Sequence, residues 1–394
     1  MKPTININHK RLEYLLRLFR LSQDELLDII SKGLKNRIHR NHIFSNNISV
    51  SNLKKIDRVF QRGLPFYTDP KDISYDEKSS IFLRKRKFNT NLGLGDKQLI
   101  NNIEGKVNHL CALQKITNYK VSRKLNTFSI KYNPEHTGYE IRDKFNLVND
   151  EQKDRDFLKK LIELFAQQNI LVFEFIEPWN KKNKANLDGF FIAPNIIAVK
   201  RNKDSFKKEI FTLAHELAHY LLDDEEVDTD NSENYSNKSD SLNNIERWCD
   251  AFAFAFLTGK DIKKKLQNIP SHKIYHNNET INKIANNCHI SKLSIFTNLT
   301  NINIGSISWQ KYASIKAKLE KDFDAKKADE LAKKEQIKLI NQKLGIKPQG
   351  FSAKPIYSPL EQDIFRNAFF EGVVSEYDVL TNFKIKDIDK FLYE

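Results

Sequence analysis

Residues 211–222 read FTLAHELAHYLL, two histidines and a glutamate set among apolar residues. His215 and His219 stand four apart, so on an α-helix they stack on one face and can offer two imidazole nitrogens to a single ion. Glu216 flanks that face, where its carboxylate can hold and deprotonate a water whose pKa a metal lowers. Around them Ile210, Phe211, Leu213, Leu217, Leu221 and Leu222 make the helix apolar nearly all round, the pattern of a helix inside a fold. Two histidines and a carboxylate in such surroundings need partners, and a metal supplies them. The spacing predicts a metal-dependent hydrolase.

Reading outward, a polar stretch (223–244) leads to Ile245-Glu246-Arg247-Trp248-Cys249-Asp250 and a second apolar helix, Ala251 to Leu257. Catalytic zinc often takes two His and one Glu and leaves its fourth position to water, and Glu246 fits the third place. Asp250, one turn further on, could accept the other ring N–H of a ligating histidine and fix its tautomer. The plain alternatives are that Glu246 caps its helix and that Asp250 is solvated.

With these residues in place the chain resembles the ImmA/IrrE metallopeptidases, whose core reads Phe-Thr-Leu-Ala-His-Glu-Leu-Gly-His and is followed by a Glu that begins a helix rich in Phe and Ala. Here Ala218 stands where the family prefers Gly, and Leu257-Thr258-Gly259 replaces its Leu-Met-Pro. The likeness extends upstream to LVFEFIEPWN (171–180) and DGFFIAPNIIAVKRN (188–202), and downstream to TINKIANNCHISKLSIFTNL (280–299), similar to the family's helix-turn-helix-like segment. It covers residues 150–305. The resemblance implies an α+β fold: a mainly helical zincin-like core with a small β-sheet, flanked by helical N- and C-terminal regions. It implies His215, His219 and Glu246 as ligands of Zn2+, Glu216 as catalytic base, and a helix-turn-helix repressor or antitoxin as the protein substrate, cut in a phage, stress or defence response.

The expected organisation is a helical region 1–70, a peptidase core 71–310 and a helical region 311–394. In the first, residues 9–30 read as two helices broken at Leu21-Ser22, with Ser22 and Glu25 as a capping box. That pair is similar to the opening of a repressor helix-turn-helix, but residues 31–48 offer no clear recognition helix, and a packing element is the alternative. Leu53–Phe60 reads as a helix, 63–70 as a turn-rich connection, 96–131 as helical overall, and 154–168 as an amphipathic helix. Strands are expected at 171–176, 188–192 and 196–200, the last two joined as a hairpin through Pro194-Asn195. That hairpin either receives extended substrate backbone or serves only the core. Residues 223–244 read as a surface loop, 311–343 as a charged helix, and 361–394 as a helical tail that either packs on the core or recruits a partner.

The 394 residues carry a formal net charge of +14, and hydrophobic residues make up 40%, with no apolar run that spans a bilayer. No membrane role is expected. Cys111, Cys249 and Cys288 are too scattered for a disulfide framework or a cysteine zinc site, and a reducing cytoplasm fits. The charge invites nucleic acid, most locally at FLRKRKF (82–88), yet the abundance of Lys, Asn and Ile together is also what AT-rich coding imposes. Two other functions stay open: a DNA-associated regulator, and a toxin-antitoxin or defence partner whose metal is structural. Tyr220, Tyr235, His272 and His276 are candidates for the donor that steadies an oxyanion.

Overall fold

The structure is a computed structural model that describes residues 3–71, 92–177, 181, 183–201, 205–223, 227–229, 240–276, 278–300, 307–344 and 354–393. The patch at 82–88 and Tyr235 lie outside these residues. Contacts divide the chain into two units, residues 1–119 with 178–187, and residues 120–177 with 188–394. The described residues are mainly helical with two small sheets, an α+β fold.

In the first unit β1 (Thr4–Asn6) pairs antiparallel with β2 (Asn47–Ser49), setting Ile5 opposite Ile48. Helices α1 (His9–Leu18) and α2 (Gln23–Ser31) meet at the expected break, and Ser22 and Glu25 form the reciprocal capping box. No α-helix occupies residues 32–46; the chain instead runs to β2 and into α3 (Val50–Phe60). Phe19 and Phe60 meet edge to face at 5.0 Å in the core between these helices. The stretch read as a turn-rich connection holds a short helix, α4 (Leu64–Thr68), because Pro65 in its first turn is pre-set for helical φ and needs no N–H partner there. The helical reading of 96–131 is too long. Helix α5 (Leu94–Ile116) stops where Asn118 adopts a left-handed φ of 53°, and residues 117–133 are not helical. Gln98 and Asn101 on α5 donate side-chain N–H groups to the carbonyls of Val59 and Phe60, which the end of α3 leaves unpaired.

The second unit opens with α6 (Pro134–Lys144), which the periodicity did not reveal although Asn133-Pro134 is a sound start signal: Asn133 accepts from the His136 N–H. Helix α7 (Asp154–Gln167) buries Phe157, Leu158, Leu161, Ile162 and Phe165 on one stripe. Three strands follow as expected, β3 (Leu171–Phe175), β4 (Leu187–Ile192) and β5 (Ile196–Lys200). Strand β5 pairs parallel with β3 and antiparallel with β4, so the hairpin register places Phe190 opposite Ala198. Helix α8 (Phe206–Leu222) carries the quoted motif and lies against β5. After it β6 (Val227–Thr229) adds to the sheet, whose order is β3-β5-β4-β6. The hairpin edge that could have received a substrate strand is therefore taken by β6.

Helix α9 (Asp240–Thr258) packs on both α8 and α6. It starts earlier than the sequence suggested, so Glu246 sits inside the helix and is not its cap. Gly138 lets α6 approach closely: a Cβ there would meet the Ala255 Cβ and the Phe252 carbonyl oxygen, each at 2.8 Å. Arg142 of α6 closes the far end of α9 by donating to the carbonyls of Phe256 and Leu257 at 2.7 and 2.9 Å. A short α10 (Lys260–Gln267) precedes α11 (Glu279–Asn287) and α12 (Lys292–Thr300), which occupy the stretch 280–299. The charged run forms α13 (Trp309–Lys343), exposed along residues 320–340.

The tail folds as α14 (Pro359–Phe370), α15 (Glu376–Phe383) and α16 (Ile388–Tyr393) and packs on its own unit, α14 against α7. Phe383 gathers Tyr357, Phe365 and Phe391 at 5.0, 5.1 and 4.6 Å. Just before α14, Tyr357 bridges antiparallel to Phe173 on the outer edge of β3.

Candidate metal centre

Helix α8 is buried along almost its whole length, so its polar side chains have been carried into the interior by the hydrophobic residues that surround them. Glu216 is 0% exposed, His219 1%, His215 4%, and Glu246 of the neighbouring α9 also 4%. Such groups are costly to bury unless they face one another or a ligand. His215, His219 and Glu246 do face one another. The Nε2 atoms of His215 and His219 lie 3.2 Å apart, and the Glu246 carboxylate approaches both, Oε2 at 3.5 Å from His215 and Oε1 at 3.9 Å from His219.

These spacings fit a shared ion. Zinc holds nitrogen and carboxylate oxygen at about 2.0–2.2 Å in a tetrahedral array, which separates neighbouring donors by roughly 3.3–3.6 Å. The two ring nitrogens, 3.2 Å apart, stand just short of that separation, and Glu246 needs only a small shift toward His219 to join them. Two neutral imidazoles and one carboxylate are also a donor set suited to zinc. Asp250 lies behind the site, where its Oδ1 is 3.0 Å from His215 Nδ1. That contact leaves Nε2 of His215 turned toward the other donors.

Glu216 occupies a floor made by the sheet. Gly189 on β4 runs directly beneath it: a Cβ there would come within 3.1 Å of the Glu216 side chain and 2.6 Å of Thr212 Cγ2. The glycine therefore sets how closely the strand and the motif helix approach. Along α9, Trp248, Phe252 and Phe256 stack at 5.6 and 5.9 Å, nearly parallel, at helical spacing, and the Trp248 indole donates to the Tyr132 carbonyl at 2.8 Å. That aromatic stripe fixes the rotation of α9 and so the direction of Glu246.

A buried ion cluster anchors the start of α8. Arg201, at the end of β5, donates from Nε to Glu174 of β3 and lies 3.6 Å from Glu209 in the first turns of α8, with both carboxylates fully buried. Its guanidinium also covers Phe206 at 5.1 Å. The sequence offered a weak signal for this cluster, an acidic residue inside an otherwise apolar strand at Glu174.

Of the oxyanion candidates, Tyr220 is buried against Phe191 at 5.7 Å and beneath Arg123, whose Cζ is 3.9 Å from the ring centre; burial raises its pKa. These neighbours make Tyr220 a core residue. His272 is exposed and His276 half-buried. Cys249, set aside on sequence grounds, is fully buried, and its sulfur lies within 4.8 Å of ring nitrogens of both His215 and His219.

Residues 166–281 match the family model described as the IrrE N-terminal-like domain, peptidase M78. No curated protein matches the chain. The matched stretch runs from the end of α7 into α11 and contains His215, Glu216, His219, Glu246 and Asp250. This stretch is thus similar to the IrrE N-terminal-like peptidase domain, a likeness that supports an ImmA/IrrE-type metallopeptidase.

Proposed function

We propose that the chain is a zinc-dependent endopeptidase in which His215, His219 and Glu246 hold the ion, Glu216 is the general base and Asp250 orients His215. The observation that carries this reading is the convergence of two buried imidazole nitrogens, 3.2 Å apart, with a buried carboxylate from a second helix. Bound zinc supplies Lewis acidity to the scissile carbonyl and to the attacking water. Glu216, adjacent to His215 on the motif helix, takes the proton of that water on its carboxylate and passes it to the departing amine. The apolar walls of α8 and α9 keep bulk solvent from competing with these transfers. Because β6 lies along β4, an extended substrate adds beside β6 or in its place.

The substrate we propose is a regulatory DNA-binding protein, a helix-turn-helix repressor or antitoxin, cleaved in the cytoplasm during a phage, stress or defence response. Support comes from the resemblance carried by residues 150–305, from the family match, and from the lack of any described helix long and apolar enough to cross a membrane. The test is co-expression of the wild type or Glu216→Gln with the adjacently encoded DNA-binding protein. Cleavage confined to the wild type is expected, and cleavage that persists in the variant would sink the base assignment.

A further inference from the structure

Residues 246, 249 and 250 share one face of α9, since i, i+3 and i+4 stack on a helix. Cys249 stands at the border between Glu246, three residues before it, and the aromatic stripe of Phe252 and Phe256, three and seven residues after it. Its sulfur is fully buried, takes part in no disulfide, and lies within 4.8 Å of a ring nitrogen of each histidine. A zinc ion with sulfur at about 2.3 Å and nitrogen at about 2.0–2.1 Å separates the two donors by roughly 3.6 Å. Binding would bring the sulfur about 1 Å closer to the ring nitrogens. A sulfur beside two imidazoles is a metal-binding chemistry.

We propose that Cys249 is a fourth protein donor to the metal, an inference that rests on the zinc site proposed above. Three protein donors leave a position for water, whereas four close the site in the manner of structural zinc. With zinc present, a bound sulfur would close the position that water and substrate need, and a sulfur turned away would leave it open. Closure would break the S–H and metal–water bonds, form the sulfur–metal bond, and release one water and one proton, with no electron transferred. The sulfur also biases the site toward zinc and cobalt over manganese and magnesium.

The test uses the full chain, reduced and loaded with Co2+ under anaerobic conditions. The wild type is expected to show the visible bands of tetrahedral cobalt and a near-ultraviolet sulfur-to-cobalt charge-transfer band. Cys249→Ser and Cys249→Ala are expected to keep the visible bands and lose the ultraviolet one. Visible bands without a charge-transfer band in the wild type would overturn the role of Cys249 while leaving the His-His-Glu site standing. A charge-transfer band that survives in both variants would also overturn it, and a wild type that binds no cobalt would overturn both readings. Should neither variant fold, iodoacetamide labelling of the wild type, followed by mass spectrometry of the Cys249 peptide, decides: zinc should protect Cys249, and equal labelling with and without zinc refutes the proposal.

Discussion

Helices α8 and α13 are both read from sequence as helices, yet they use polar residues in opposite ways. In α13 the charged side chains point to water along residues 320–340, and pairs such as Lys333 and Asp329, 2.6 Å apart and both more than 60% exposed, ask nothing of the rest of the fold. In α8 every polar side chain from Glu209 to His219 is buried, and those with known neighbours meet groups delivered by other elements: Glu209 meets Arg201, His215 meets Asp250 and Glu246, His219 meets Glu246. Burying a charge is tolerated only where a partner awaits it. Polar residues on an apolar helix thus mark chemistry, and polar residues on a polar helix mark solubility.

The contrast can be broken in graded steps. Glu216→Gln should lower kcat/KM by about 10²–10⁴ with zinc content unchanged, checked by a cleavage assay beside metal analysis. Arg201→Ala leaves Glu174 and Glu209 buried without their cation and should cost about 3–5 kcal/mol in chemical denaturation; a near-neutral result would mean the cluster is solvated. Gly138→Ala forces α6 off α9 and should cost about 1–3 kcal/mol, with a weaker hold on metal because Glu246 moves too. Asp250→Asn should loosen metal affinity by about 10–100-fold in a competitive chelator titration. At the other pole, Lys333→Ala in α13 should change stability by no more than about 0.5 kcal/mol, and a larger loss would show that α13 is not the solvated helix its exposure indicates.

The parts of the fold that could be read from sequence are those where local pattern and tertiary demand agree. The hairpin through Pro194-Asn195, the capped pair around Ser22 and the buried motif helix are of this kind. The convergence of His215, His219 and Glu246 was legible because helical spacing and donor chemistry point the same way. Helix α6 was not, since its apolar positions are few and its role is contact through Gly138, where what matters is a missing side chain. The end of α5 was overrun because the helical pattern continues past Asn118, where the backbone turns left-handed. Cys249 was set aside because the three cysteines are few and scattered, although the fold brings its sulfur within 4.8 Å of imidazole nitrogens on a different helix. The pairing of Arg201 with Glu174 and Glu209 and the bridge from Tyr357 to Phe173 are long-range, and no window of sequence contains them.

That last bridge bears on how the chain is made. Glu174 accepts the Ile356 backbone N–H from 182 residues further along, beside the Tyr357 bridge, so the outer edge of β3 gains its cover only after most of the chain has been synthesised. At about 5–20 residues per second, β3 waits on the order of ten seconds or more with that edge bare. An open strand edge is a template for pairing with other chains. A fragment limited to residues 166–281 would keep every proposed metal ligand and lose the strip that seals β3, so it should aggregate where the full chain does not.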